Sequence, residues 1–347
     1  MRILAIDLLK ILAIFFVIIS HVTLFFLSGN EQDVFLYFFR QSGQWGVVVF
    51  FICSGYFLLS NKHEDQTGYI LNKVRRLMTI LLFWIIFYYL YDTYLISQFT
   101  AVENVIFLQY VNVSGNLSDA THLWFIFSIT ALYILTPLLR CAFSEDNAKG
   151  ILQVLIIMVV VANLTLFNAL TDYEFSFKSI PFNILLPFQS EGLISFLIGG
   201  YLALVKPKIR SFSLTHIMLL LISVGSFTAL SLISFRTGMV FFYGKFYNIL
   251  LLTSSVCLFL FMVNINISRI PAVVDDISKN VLGIYLVHNI FVVEVHSDFI
   301  HNSIREMIGG TNNYIYIVIY SLFSFTLSYI LCVLLRKSKF TRKIITL

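Results

Sequence analysis

The stretch IDLLKILAIFFVIISHV, residues 6–22, reads as a membrane helix that carries an aspartate, a lysine and a histidine. A span needs about 20 predominantly apolar residues, and this run with its flanks supplies them. Ionisable groups cost roughly 2.5–3.5 kcal/mol each at the centre of such a helix on insertion scales, so they are rare there unless the protein uses them. At about 100° per residue, Lys10 and His21 differ by only about 20° around the helix, and Asp7 lies about 40° from His21 on the same side. The three form one stripe about 21 Å long at 1.5 Å per residue. Such a stripe is expected to face other helices or a watery cavity and not lipid. No small-residue cleavage site follows the stretch, so it is expected to remain as the first helix and not to be removed as a signal peptide.

The remainder of the 347 residues continues the pattern: 59% are hydrophobic and only 12% charged. Candidate spans fall at roughly 8–28, 45–60, 77–96, 122–139, 151–170, 191–205, 214–235, 246–264, 281–296 and 314–335. The prediction is an all-α, polytopic transmembrane helix bundle of about ten spans, forming a single domain over residues 1–347. With both termini in the cytoplasm, only Arg40, Lys178, Arg236, Lys245 and Arg305 fall outside, and the other 18 Lys and Arg residues fall inside. The net charge of +5 is thus explained by membrane orientation and implies no nucleic-acid partner. Cys53, Cys141, Cys257 and Cys332 have no paired spacing that suggests a metal site or a disulfide framework.

Several phrases share a pattern with a known family. Lys10, ten intervening residues and His21 in helix one, then FFICSGYFLL, KVRRLMTILLFW, HLWFIFSITALYILTPLLR and LGIYLVHNIFV, follow one another in order from about residue 2 to 296. Together they resemble the acyltransferase-3 family, integral membrane enzymes that move acyl groups, usually acetyl, onto extracytoplasmic glycans and related acceptors. The stand-alone form, without an appended soluble domain, is the closer likeness in length. The resemblance implies a donor such as acetyl-CoA, a surface or lipid-linked glycan acceptor (O-antigen, capsule or exopolysaccharide), and a location in the bacterial cytoplasmic membrane among its lipids.

Each candidate residue carries an ordinary reading beside the functional one. Lys10 can snorkel to headgroups and His21 can be a packing histidine, but their shared stripe favours a chemical role for His21. Asp7 is expected to set the charge near Lys10, because i and i+3 neighbours meet on a helix. Lys73 and Arg76, one turn apart, are either topology determinants or a grip on the phosphates of acyl-CoA. The family pattern has Arg at both positions; Lys73 keeps the charge as a point charge and loses the fork. Ser54 and Gly55 suit close helix packing, and equally a narrow channel for the pantetheine arm.

On the acceptor side, His122 and Trp124 open helix four, where an aromatic ring would make a floor for a sugar, although an interfacial Trp is the ordinary role. Glu191 opens helix six, where the helix dipole alone explains an acid. Tyr285 and His288, with Asn289, form a polar stripe at i, i+3 and i+4 in helix nine, as hydrogen-bond support or as a second wall of the site. No Walker loop, dinucleotide glycine fingerprint, HExxH zinc motif or GxSxG elbow is present, so no metal is expected. The expected chemistry is histidine acting on a preactivated thioester, either as general base or as a transient acyl carrier. A glycolipid transporter or flippase, which would also need intramembrane polar groups, is the alternative, and a glycan polymerase, another multispan protein of the same pathways that needs no CoA, is a third class.

Overall fold

The computed structural model describes residues 2–26, 33–60, 66–94, 119–170, 192–206, 214–237, 245–294 and 313–346. Among these the chain is helical: α1 (Leu4–Thr23), α2 (Val34–Ser60), α3 (Gln66–Tyr94), α4 (Trp124–Ala142), α5 (Ala148–Leu170), α6 (Leu193–Val205), α7 (Leu214–Thr237), α8 (Ile249–Val263), α9 (Ala272–Lys279), α10 (Val281–Glu294), α11 (Asn313–Leu335) and α12 (Lys339–Lys343). Short 3-10 turns occupy Leu24–Phe26 and Asp119–Leu123. Five helical segments are long and apolar enough to cross a membrane: Leu4–Thr23, Val34–Ser60, Ala120–Ala142, Leu214–Arg236 and Asn313–Leu335. Ala148–Asn163, Leu193–Val205, Ile249–Val263 and Val281–Val292 are shorter apolar helices.

The burial pattern is that of a protein solvated by hydrocarbon. In α7, Ser223, Ser231 and Ser234 are buried, whereas Leu214 and Leu221 are 72% and 65% exposed. In α11, Ser321, Ser324 and Ser328 face inward and Ile315, Leu322 and Leu334 face out. Buried hydroxyls find main-chain acceptors, as Ser223 Oγ does in the carbonyl of Ser254 at 2.8 Å and Ser321 Oγ in that of Ile317 at 2.7 Å. With no water in a bilayer core, polar groups have to be satisfied inside the protein while apolar side chains meet lipid.

The chain forms two compact units, Met1–His63 with Leu135–Ser278, and Glu64–Ile134 with Lys279–Leu347. In the first, α2 is the central element: α1, α6, α7 and α8 all pack on it, and α5 packs on α6. The α2–α6 crossing is close enough that a Cβ on Gly55 would run into the carbonyl of Phe196, and one on Gly199 into that of Ile52. Glycine permits this approach of two backbones, the device by which membrane helices gain van der Waals contact. Gly192, which precedes α6, has φ +79°, a conformation that glycine adopts without strain.

In the second unit, α3 and α10 pack on the 3-10 turn Asp119–Leu123, and α11 packs on α10. Its core is aromatic, with Trp84, Tyr88, Tyr285 and Tyr320 buried. Tyr88 donates to the carbonyl of Leu286 at 2.8 Å, and Tyr320 to that of Val292 at 3.0 Å. Buried tyrosines with satisfied hydroxyls supply large apolar area and fix the helix register at the same time.

Candidate functional site

In the first unit, the stripe on α1 is turned toward protein. Asp7 is buried, and Lys10 and His21 are half-buried. Asp7 Oδ1 is 3.7 Å from Lys10 Nζ, the i, i+3 neighbour expected from the sequence. Its closer partner is Arg2, whose Nε lies 2.5 Å from Asp7 Oδ2. Arg2 also reaches Asp275 Oδ1 at 2.6 Å and donates to Ser278 Oγ at 2.8 Å. Hydrogen bonds to Asp7 and then to Asp275 hold the Arg2 guanidinium above its ordinary range. Lys10 Nζ lies 5.1 Å from the centre of the Phe57 ring, within cation–π reach.

At the opposite end of α1 the helix tightens around His21. The Leu24 N–H bonds the carbonyls of His21 and Val22, so the Ser20 carbonyl is available to another donor. That donor is Arg40, whose Nη1 lies 2.9 Å from Ser20 O and 3.0 Å from Ser20 Oγ, while Ser20 Oγ donates to Arg40 O at 2.7 Å. A buried relay runs on from there: Gln44 Nε2 donates to Gln41 Oε1 at 2.5 Å, and Gln41 Nε2 to Ser234 Oγ at 2.9 Å.

The apolar run alone predicts a second helix from residue 45; α2 begins at Val34, and Arg40, Gln41 and Gln44 are buried in it. The run RQSGQW looks like a loop because its residues are polar, yet those residues bond one another and α1. The signal that could have found them is Gly43 and Gly46, spaced for a helix crossing, where a Cβ would meet Ser20 and Ala13. Ser54 and Gly55 lie further along α2, and Gly55 belongs to the contact with α6.

In the second unit, three of the residues read from sequence come together. The rings of His122 and His288 are 5.1 Å apart at 80°, those of His122 and Tyr285 5.6 Å, and Tyr88 stands edge-on to His122 at 5.1 Å. Tyr285 donates its hydroxyl to the carbonyl of His122 in a short hydrogen bond. His288 Nδ1 is 2.6 Å from the carbonyl of Tyr285. All four are buried. Trp124 is half-buried and stands edge-on to Phe125, whose own ring lies 5.5 Å from that of Tyr285. Glu191 lies outside the described residues.

Lys73 and Arg76 sit at the start of α3, Lys73 half-buried beside the Tyr69 ring at 5.8 Å and Arg76 exposed. Burial, and then the positive charge of Arg76, lowers the Lys73 ammonium below its ordinary range. Arg76 Nη2 donates to Thr346 Oγ1 at 3.3 Å, a partner that no local pattern could have indicated.

The opening helix thus turns a lysine and a histidine toward protein, in a chain whose described residues include five helical segments long and apolar enough to cross a membrane. The model of the acyltransferase domain matches residues 3–333, and the chain belongs to the acyltransferase-3 family. No curated protein and no solved structure matches it. The protein is therefore a membrane acyltransferase of that family.

Proposed function

We propose that this acyltransferase moves an acetyl group from cytosolic acetyl-CoA to a hydroxyl of a cell-surface or lipid-linked glycan. In this reading about ten helices span the bacterial cytoplasmic membrane with both termini inside, the orientation favoured by the distribution of Lys and Arg. His21 is the general base. It takes the proton of the acceptor hydroxyl as that oxygen attacks the thioester carbonyl; the C–S bond then breaks, and the proton passes to the departing CoA thiolate. An imidazole suits this exchange because its unperturbed pKa of about 6.5 lies near working pH.

The observation that carries the choice is accessibility. Of the four histidines among the described residues, His122, His216 and His288 are buried at 2%, 6% and 0% exposure, and His21 alone is half-buried. A base has to reach its substrate's proton, so the buried three are the poorer candidates. Lys73 and Arg76 bind the donor's phosphates as a paired charge on one helix face. Lys10, held beside Asp7, supports the charge balance of α1. Tyr285, His288 and His122 serve as a rigid wall on the acceptor side, and Trp124 and Glu191 as acceptor contacts. Ser54, half-buried, borders the path of the pantetheine arm, and Gly55 beside it fixes the α2–α6 contact that forms the wall of that path.

His21→Ala is expected to lower transfer by at least about a hundredfold, the lower end of what a positioned acid–base group contributes. Acetyl content of the surface glycan in cells expressing the variant at normal protein level reads this out, and full acetylation would remove His21 from the mechanism.

A further inference from the structure

Residues Ser338–Thr346 follow α11 and lie beyond the part of the chain that matches the family. They include Lys339, Arg342 and Lys343 and no acidic residue. The segment is nonetheless firmly seated in the second unit. Ile344 and Ile345 are buried, and Trp84 Nε1–H donates to the carbonyl of Ile344 at 2.8 Å. The Ile345 carbonyl lies beside Gly283, where a Cβ would meet it at 3.3 Å. Thr346 Oγ1 donates to the Arg342 carbonyl at 2.8 Å and accepts from Arg76 Nη2 at 3.3 Å.

Apolar burial therefore seats beside Arg76 a segment whose own charged residues are all basic, with Thr346 bonded both to Arg76 and to the Arg342 carbonyl. Arg75, Arg76, Arg342 and Lys343 are exposed, Lys73 is half-buried, and among the described residues no carboxylate pairs with any of them. Burial of the two isoleucines supplies the apolar area that holds the segment in place. Arg76 spends one of its five N–H donors on Thr346, and that bond is at the long end of the normal range. A segment that served to block an anion site would bring a carboxylate to Arg76; this one brings a hydroxyl, Thr346 Oγ1, and carries Arg342 and Lys343 four and three residues before it.

We propose that Arg342 and Lys343 complete, with Lys73 and Arg76, the site that binds the nucleotide phosphates of the donor thioester. This rests on the acyl-CoA reading above and extends it to residues outside the family's domain. The phosphate could in principle belong to an anionic lipid headgroup, and the test separates the two sources.

The purified full chain in neutral detergent is titrated with CoA, with pantetheine and with phosphatidylglycerol, alongside the double variant Arg342→Gln/Lys343→Gln. Both substituted side chains are exposed, and Lys149→Gln, also exposed, controls for loss of charge alone. The expected result is CoA affinity about fivefold lower in the double variant, pantetheine binding unchanged and Lys149→Gln like wild type. Equal CoA affinity in the double variant and wild type overturns this proposal and leaves the acyl-CoA reading intact. Loss of phosphatidylglycerol binding with CoA affinity unchanged also overturns it, in favour of a lipid site. Absence of CoA binding by wild type overturns both.

Discussion

The basic groups at the start of α1 and those around the start of α3 differ in what answers their charge. Arg2 and Lys10 close on Asp7, and Arg2 closes on Asp275 as well. Lys73, Arg75, Arg76, Arg342 and Lys343 meet no carboxylate among the described residues. The first group is a joint that ties the start of α1 to α9, with its charge cancelled locally. The charge of the second is not cancelled by any carboxylate among the described residues, which is what the proposed donor site requires. Position and residue type do not separate these cases, because both are basic groups next to an apolar helix; the partners do.

The sharpest way to break this contrast is to remove the central cation of the joint. Arg2→Met leaves Asp7 buried without its closer partner and removes the Arg2 contact from Asp275. The expected loss is about 2 kcal/mol, between the value of an exposed pair and the cost of breaking a buried one, because Arg2 itself is half exposed. Thermal unfolding in detergent measures it, and Asp7→Asn in the same background should recover part of the loss, as coupled partners do. CoA affinity should hold. A fall in CoA affinity without a fall in stability would make the joint part of the donor site and dissolve the distinction.

Arg76→Gln is the converse experiment and the next largest effect. It removes an exposed cation whose one hydrogen bond is to Thr346, so stability is expected to stay within about 0.5 kcal/mol of wild type. CoA affinity is expected to fall about tenfold, the loss of one charge-assisted contact to phosphate. Unfolding and CoA titration on the same preparation decide it. A stability loss comparable to that of Arg2→Met would mean that Arg76 is also structural.

These residues also show which contacts sequence could and could not reveal. The inward face of α1 was legible from three residues and the helical period, since the angles among Asp7, Lys10 and His21 need no partner to be computed. Each apolar block coincides with at least part of a helix, because length and apolarity report on a segment by itself. Arg2–Asp275, His122–His288 and Arg76–Thr346 join residues far apart in the chain, and no periodicity encodes such meetings. The start of α2 was missed for a different reason. A bilayer rewards burying Arg40, Gln41 and Gln44 against other polar groups, so a polar run there marks the inside of the bundle, whereas in a soluble chain it marks a loop. The same inversion exposes Leu214 and buries Ser234 in α7.

Lys73 offers the smallest effect and the finest test of the unanswered cluster. Burial, and then Arg76, lowers its ammonium below the ordinary lysine range, so it loses its proton at a lower pH than a solvated lysine does. The charged form binds phosphate. Its contribution to CoA affinity is therefore present below that lowered value and is lost as pH rises through it. Arginine at this position restores the Arg-x-x-Arg pattern of the family and stays charged throughout. Lys73→Arg is expected to bind CoA about two- to threefold more tightly near neutral pH, the gain of a fork over a point charge, and to hold that affinity into the alkaline range. CoA titrations across pH for wild type, Lys73→Arg and Lys73→Met measure it. Parallel profiles for wild type and Lys73→Arg would place Lys73 away from the phosphates, and the donor grip would then rest on Arg76 and the segment that docks beside it.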